Sequence, residues 1–198
     1  DFDADTVFEL TLVDLESISE EYDLDLQALL FSPLFEQKVL ADKLRKIKLL
    51  IIDVDGVMTD GGMYYTENGD EIKKFNTKDG MAIMGLTKKN FPVGIISSGF
   101  SGEAIRKRAE ILNIPFCHIG REPKMEILNR WCKDLAVNLK EVAIIGDDIN
   151  DLEVMQHVGF SVCPSDAVPL VKGEVDLILS KKGGEGCVRE FIDNYFNF

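Results

Sequence analysis

An α/β fold built on a central parallel sheet is predicted for this chain of 198 residues by three observations. From Lys48 onward, short β-branched runs alternate with amphipathic stretches, the order of strands and crossover helices. Most of those runs are apolar without alternation, as strands covered on both faces must be. With 45% of its residues apolar, the chain can bury a substantial core.

The front of the chain is read separately. FELTLVDL (residues 8–15) alternates like a strand, and EEYDLDLQALLF (20–31) reads as a helix. Ser32-Pro33 begins another helix, with a side-chain cap and apolar positions at Leu34, Phe35, Val39, Leu40 and Leu44. These segments form an acidic extension over residues 1–46, ahead of a domain over 47–198. Within that domain, strands are expected at Leu49–Val54, Val93–Ser97, Phe116–Ile119, Val142–Ile145, Phe160–Val162 and Leu177–Leu179. Helices are expected over 79–90, 102–113, 123–137, 149–157, 167–172 and 185–196. Pro123 suits a helix's first turn, and Pro92 and Pro115 stand in connections where a missing amide donor is tolerated. Between the first strand and its helix runs GGMYYTENGDEIKKFNTKDG (61–80), whose Asn68-Gly69 between strand-like runs signals a β-hairpin.

Charge and cysteine usage narrow the function. The formal charge is −13, which repels nucleic-acid backbones and anionic lipid surfaces and so argues against both as partners. Residues 1–37 hold eleven Asp or Glu and no Lys or Arg, leaving 24 acids against 22 bases in the rest. Were the domain's ligand an anion, such an anionic segment would hinder it, and residues 1–31 would then be expected to lie away from the site that binds it. Four scattered cysteines without a CxxC pair suit a reducing compartment. The acidic start lacks the basic opening of a secretory signal, and no apolar run reaches membrane-spanning length. A soluble, cytoplasmic protein is expected.

Two acidic clusters carry the chemistry. LLIIDVDGVMTDG places Asp53 and Asp55 two apart just past a buried strand, where both carboxylates point to one side at the sheet's ligand-binding edge. Crowded carboxylates repel unless a cation lies between them, and an all-oxygen set suits Mg²⁺. Gly56 lets the chain turn closely behind them. The second cluster, VAIIGDDINDLEV, ends another buried strand with Asp147, Asp148 and Asp151, which can converge on the first and complete a ligand set. Either cluster alone reads as a turn; two at strand ends point to a site. Ser98-Gly99 ends the strand VGIIS and opens a helix, offering a hydroxyl and helix-start amides to an anion, though taken by itself a plain helix cap is the preferred reading. Lys124 follows Pro123 at the next helix start and gains meaning only beside the aspartates. Asp60 and Asp79 each precede Gly as turn residues do, and Cys163, His118 and His157 show no ligand spacing.

In order, DVDGV, SG after a strand, a downstream Lys and GDDxxD resemble the four motifs of the haloacid dehalogenase superfamily of phosphohydrolases, across residues 48–198. DVDGVMTDG, KKFNTKDG, GDDINDLEVM, KKGGEG and VREF are similar to its capless sugar-acid members, the 3-deoxy-D-manno-octulosonate 8-phosphate phosphatases and their sialic-acid-type 9-phosphate relatives. The resemblance implies a Rossmann-like three-layer sandwich with a projecting hairpin. Residues 56–97 and 99–123 leave no room for a separate cap domain.

It also implies roles. Asp53 attacks phosphorus to give an aspartyl phosphate, and Asp55 protonates the leaving oxygen and then activates water. Mg²⁺ is held by the Asp53 carboxylate, the Asp55 carbonyl and Asp147. Ser98, with Gly99, binds a phosphoryl oxygen, Lys124 neutralises developing charge, and Asp148 and Asp151 orient the metal shell or the lysine. Asp79, Gly183–Gly186 and Arg189 are implied near the substrate; for Arg189 a plain helix-surface charge reads almost equally well. A homotetramer assembled through the hairpin is implied to close the open site. Where relatives carry TG followed by Arg or Glu, this chain has Ser98-Gly99-Phe100, so charge readout of the sugar acid is missing there. The octulosonate ester is favoured, with nonulosonate 9-phosphates, a phosphoryl transferase and a non-catalytic scaffold on the same fold as alternatives.

Overall fold

The computed structural model describes residues 11–21, 36–99 and 102–196. The chain divides into two units, Asp1–Asp42 and Lys43–Phe198. In the first, residues 12–15 are helical rather than extended, because α1 runs over Leu12–Glu21. The expected strand over 8–15 gives way there to local capping. The Thr11 hydroxyl accepts the Asp14 amide (3.3 Å) while the Asp14 carboxylate accepts the Thr11 amide (2.8 Å), so two orphan donors are satisfied reciprocally. This signature, T-x-x-D, outweighs three alternating positions. The helix expected over 20–31 lies outside the described residues from position 22, and the Ser32 cap lies outside them too. Helix α2 is described over Glu36–Leu44.

In the second unit, six parallel strands form one sheet: β1 (Leu49–Ile52), β4 (Val93–Ser97), β5 (Phe116–Ile119), β6 (Val142–Ile145), β7 (Phe160–Cys163) and β8 (Leu177–Ile178). Their order is β5-β4-β1-β6-β7-β8, with β2 (Tyr64–Tyr65) and β3 (Glu71–Ile72) forming a separate antiparallel hairpin. Every residue of β1, β4, β6 and β7 is buried, which explains why their sequences do not alternate. Helices α3 (Thr77–Lys88) and α8 (Cys187–Tyr195) pack together. Leu49, Ile51, Val142 and Ile144 share a core cluster with Ile127, Leu128 and Cys132 of α5 (Lys124–Leu135) and with Val154 and Met155 of α6 (Ile149–His157). Leu50 and Ile52 alternate to the other face of the pleat. Helices α4 (Glu103–Ile111) and α7 (Pro169–Lys172) are the remaining α-helices among the described residues, and a 3-10 turn over Leu139–Glu141 leads into β6.

Most boundaries fall within two residues of expectation. Helix α3 starts at Thr77 because the Asn76 side chain accepts the Lys78 amide (2.9 Å), an N-cap ahead of the predicted start. Strand β1 stops at Ile52 because the chain leaves the ladder in a wide turn, closed by the Thr59 amide donating to the Val54 carbonyl (3.0 Å). Among the described residues no helix is long and apolar enough to cross a membrane.

Candidate active site

Strand β1 lies at the reversal of strand order, with β4 on one side and β6 on the other. Open α/β sheets bind ligands at this point, outside the strands' carboxyl ends. Ile52 is level with both Ile95 and Ile145, so residues just past β1, β4 and β6 emerge side by side. Asp53 follows β1, Ser98 follows β4 and Asp147 follows β6.

One oxygen each from Asp53, Asp147 and Asp151 lies within 4.8 Å of the others. Asp53 is 5% exposed and Asp151 fully buried. Lys124, the first residue of α5, is itself buried and reaches between them, donating from Nζ to Asp53 Oδ1 (2.9 Å) and Asp151 Oδ1 (2.7 Å). Asp151 Oδ2 accepts the Asp147 amide at 3.2 Å, so both its oxygens are engaged in holding the site together. Asp147 Oδ1 is buried without a hydrogen-bond partner among the described residues.

The charges are unbalanced. Burial, then the Asp151 carboxylate, push Asp53 up to about 7 against the opposing pull of Lys124. Burial, then Asp53, Asp151 and Asp148, push Asp147 up to about 7. Burial disfavours the Lys124 ammonium, but Asp53 and Asp151 outweigh it and raise its pKa. An orphaned buried carboxylate oxygen in an all-oxygen cluster, with repulsion one lysine does not cancel, fits a hard divalent cation.

Gly56 adopts φ +84, and a Cβ built there would stand 2.0 Å from Asp147 Oδ2. Only glycine lets the first acidic loop approach the second so closely. The turn is backed by the glycine-rich segment ahead of α8. Gly184 donates its amide to the Val57 carbonyl (2.9 Å), and a Cβ on Gly183 would meet the Gly56 carbonyl oxygen at 2.0 Å.

Of the other expected residues, Ser98 is half-buried and its hydroxyl accepts from Asn150 Nδ2 (3.3 Å). Ser98-Gly99 does not open a helix, because α4 begins at Glu103 after a Gly102 cap; Phe100 lies outside the described residues. Asp148 caps α6 through the Ile149 amide (2.7 Å), whereas Asp151 holds the lysine. Asp79 is buried at the start of α3 and accepts the Arg189 amide (2.7 Å) at the start of α8. Burial raises its pKa, opposed by the Arg189, Gly186 and Val188 amides. The Arg189 side chain pairs with Asp193 one turn along α8.

Lys73 was not singled out by sequence reasoning. It reaches back from the hairpin to Asp55 Oδ1 (2.5 Å) and Glu71 Oε1 (2.6 Å), with its side chain only 3% exposed. Burial works against its charge, but the hydrogen bonds it donates to Asp55 and Glu71, with the charges of those carboxylates, outweigh it and raise its pKa. A lysine in a charged hairpin reads as a solvated charge, and only the hairpin's fold-back reveals its partner.

A profile of haloacid dehalogenase-like hydrolases matches residues 121–192. The 3-deoxy-D-manno-octulosonate 8-phosphate phosphatase KdsC of Salmonella typhi is 38% identical over 151 residues, 76% of this chain and 80% of that protein. Among solved structures, the phosphatase of that name from Yersinia pestis superposes with a TM-score of 0.75 at 37% identity, covering 78% of this chain and 83% of that one. The Moraxella catarrhalis enzyme of that name, in complex with magnesium ion, phosphate ion and a KDO molecule, gives 0.73 at 32% identity over 77% of this chain and 87% of that one. At 38% identity over 80% of that relative, the KdsC of Salmonella typhi, and with the same sheet architecture, the chain belongs to the haloacid dehalogenase-like hydrolases, in the group of the 3-deoxy-D-manno-octulosonate 8-phosphate phosphatases.

Proposed function

We propose that the protein is a Mg²⁺-dependent phosphatase that hydrolyses the phosphate monoester of a 2-keto-3-deoxy sugar acid, with 3-deoxy-D-manno-octulosonate 8-phosphate as the favoured substrate. The observation that carries the proposal is the buried meeting of Asp53, Asp147 and Asp151 around Lys124 at the ends of β1 and β6. Asp53, the Asp55 carbonyl and Asp147 would hold the ion. When bound, Mg²⁺ offsets the repulsion between an anionic nucleophile and an anionic phosphate.

Asp53 attacks phosphorus in line with the ester oxygen. The P–O ester bond breaks with its electron pair on the leaving oxygen, which takes a proton from Asp55. Asp55 then takes a proton from the water that attacks the aspartyl phosphate, releasing phosphate and restoring Asp53. Lys124, locked by Asp151, keeps Asp53 oriented and faces charge developing on the phosphoryl group. Ser98 receives a phosphoryl oxygen beside Gly99, whose amide donates to Ser97 Oγ (3.2 Å). Asp148 supports the loop through its α6 cap, and Asp79 anchors the α8 start that carries Gly183–Gly186 and Arg189 to the rim.

The same proposal takes residues 1–46 as an acidic extension and 47–198 as the phosphatase domain. It includes a homotetramer, supported by exposed Met63, Tyr64, Tyr65 and Ile72 on and beside the hairpin, and a cytoplasmic location, supported by four free cysteines. The test is a Mg²⁺-dependent phosphate-release screen across sugar-acid phosphates, nucleotides and simple sugar phosphates, with Asp53→Asn as control. Preference for an eight- or nine-carbon sugar acid, abolished in Asp53→Asn, is expected; turnover retained by folded Asp53→Asn removes the proposal.

A further inference from the structure

We propose that Lys73 is the positioning residue for the acid/base carboxylate of Asp55, a role that rests on the phosphatase reading above. Asp55 is the most open carboxylate at the turn, with a side chain 37% exposed. Thr59 Oγ1 reaches its Oδ1 only at 3.5 Å. Lys73 Nζ holds the same oxygen at 2.5 Å. The other oxygen is left toward the Ser98-Gly99 loop, where a Cβ built on Gly99 would lie 3.7 Å from Asp55 Oδ2. One carboxylate oxygen is therefore tethered from the hairpin while its twin faces the loop that receives the phosphoryl group.

The hairpin's pleat aims the tether. Glu71 and Lys73 are two apart and point to one side, while Ile72 between them pairs with Tyr64 and turns to solvent. Glu71 meets Lys73 at 2.6 Å with its own side chain nearly buried, so the ammonium is clamped between two carboxylates rather than free to swing. An untethered, half-open aspartate would sample several staggered rotamers. Fixing it removes that search from the step in which the leaving oxygen must find its proton.

The experiment compares two esters under saturating Mg²⁺. Departure of the sugar alkoxide from 3-deoxy-D-manno-octulosonate 8-phosphate needs the Asp55 proton; departure of p-nitrophenolate from p-nitrophenyl phosphate does not. Lys73→Met is expected to lower the single-turnover rate of alcohol release from the sugar ester by about 10- to 100-fold, part of the 10²–10⁴ that general acid catalysis supplies, with KM within about threefold; hydrolysis of the aspartyl phosphate, which also uses Asp55, follows that release and does not enter it. The loss on the aryl ester is expected to be at least about tenfold smaller, and Lys73→Arg to recover most of the sugar-ester rate. Equal losses on both esters, a loss confined to KM, or an Arg variant no better than Met would overturn the role. Should Lys73→Met not fold, Lys73→Gln enters the same comparison, and equal losses again overturn it. A wild-type protein that hydrolyses neither ester instead removes the phosphatase reading, and the role of Lys73 with it.

Discussion

Replacing Asp147 with Asn is expected to stabilise the metal-free protein while destroying its response to Mg²⁺. Asp147 is held near 7 in the fold against an ordinary 3.8, because it is partly buried beside Asp53 and Asp151. A carboxyl raised by folding keeps its proton in the native state after the unfolded chain has released it. Stability is therefore lost as pH rises from about 4 to about 7. The full shift corresponds to about 4 kcal/mol near pH 8 and about 1.5 kcal/mol near pH 5, and partial solvent access lowers the larger figure to about 2–4 kcal/mol. At about 2–4 °C per kcal/mol for a chain this long, metal-free Asp147→Asn should melt about 5–10 °C above wild type near pH 8, with a gap less than half as large near pH 5. Mg²⁺ at about 100 times its Kd should return about 2.7 kcal/mol to wild type and little to the variant. Thermal unfolding of chelator-treated protein, with and without Mg²⁺ at both pH values, reads all of this. A variant less stable than wild type near pH 8 without metal, or a gap that does not shrink toward pH 5, would refute the reasoning.

Two further substitutions probe the same cluster. Lys124→Met leaves Asp53 and Asp151 without their shared cation, so urea unfolding near pH 8 should show a loss of about 3–5 kcal/mol, and phosphate release should fall at least about 10³-fold. Gly56→Ala forces a Cβ to within 2.0 Å of Asp147 Oδ2 at φ +84; a stability cost of about 1–3 kcal/mol is expected. Mg²⁺ titration followed by unfolding temperature should also show affinity weakened at least about tenfold, the scale seen when groups that orient metal ligands are disturbed.

How far the sequence speaks for itself differs by residue. The runs of the buried strands are legible because burial on both faces suppresses alternation, and Val93–Ser97 and Val142–Ile145 match their expected bounds; the half-buried edge strand Phe116–Ile119 also matches its bounds. Asp53 and Asp147 are legible because each ends such a run, and parallel neighbours in register must deliver strand ends to one place. The division of labour between Asp148 and Asp151 is not, since it depends on which carboxylate faces inward when α6 starts; Asp148 becomes the cap and Asp151 the buried partner of Lys124. Residues 12–15 misled because the reciprocal cap between Thr11 and Asp14 overrides the end of the alternation read over 8–15. Lys73 was hidden for a different reason: its partner lies 18 positions away across a hairpin, and no periodicity encodes that closure.

Asp53 and Asp55 stand only two residues apart, and like charges that close would compete for the same cation. The fold separates them by giving each its own lysine from a different element: Lys124 of α5 bridges Asp53 to Asp151, and Lys73 beside β3 bridges Asp55 to Glu71. On the proposed mechanism each lysine is thus shared between one reacting carboxylate and one that does not react, so neither reacting group would lose its whole charge to a salt bridge. The first arrangement is buried and retains an unbalanced negative charge through Asp147, which favours a divalent ion. The second stands at the edge of the site, where Asp55 can exchange a proton with an entering water. Moving either lysine's charge should therefore weaken a different part of the same displacement: Lys124 the attack of Asp53 on phosphorus, Lys73 the delivery of the Asp55 proton to the leaving sugar oxygen. The contrast between alkyl and aryl esters follows from that separation, because both esters need the attack but only the alkyl ester needs a proton on departure.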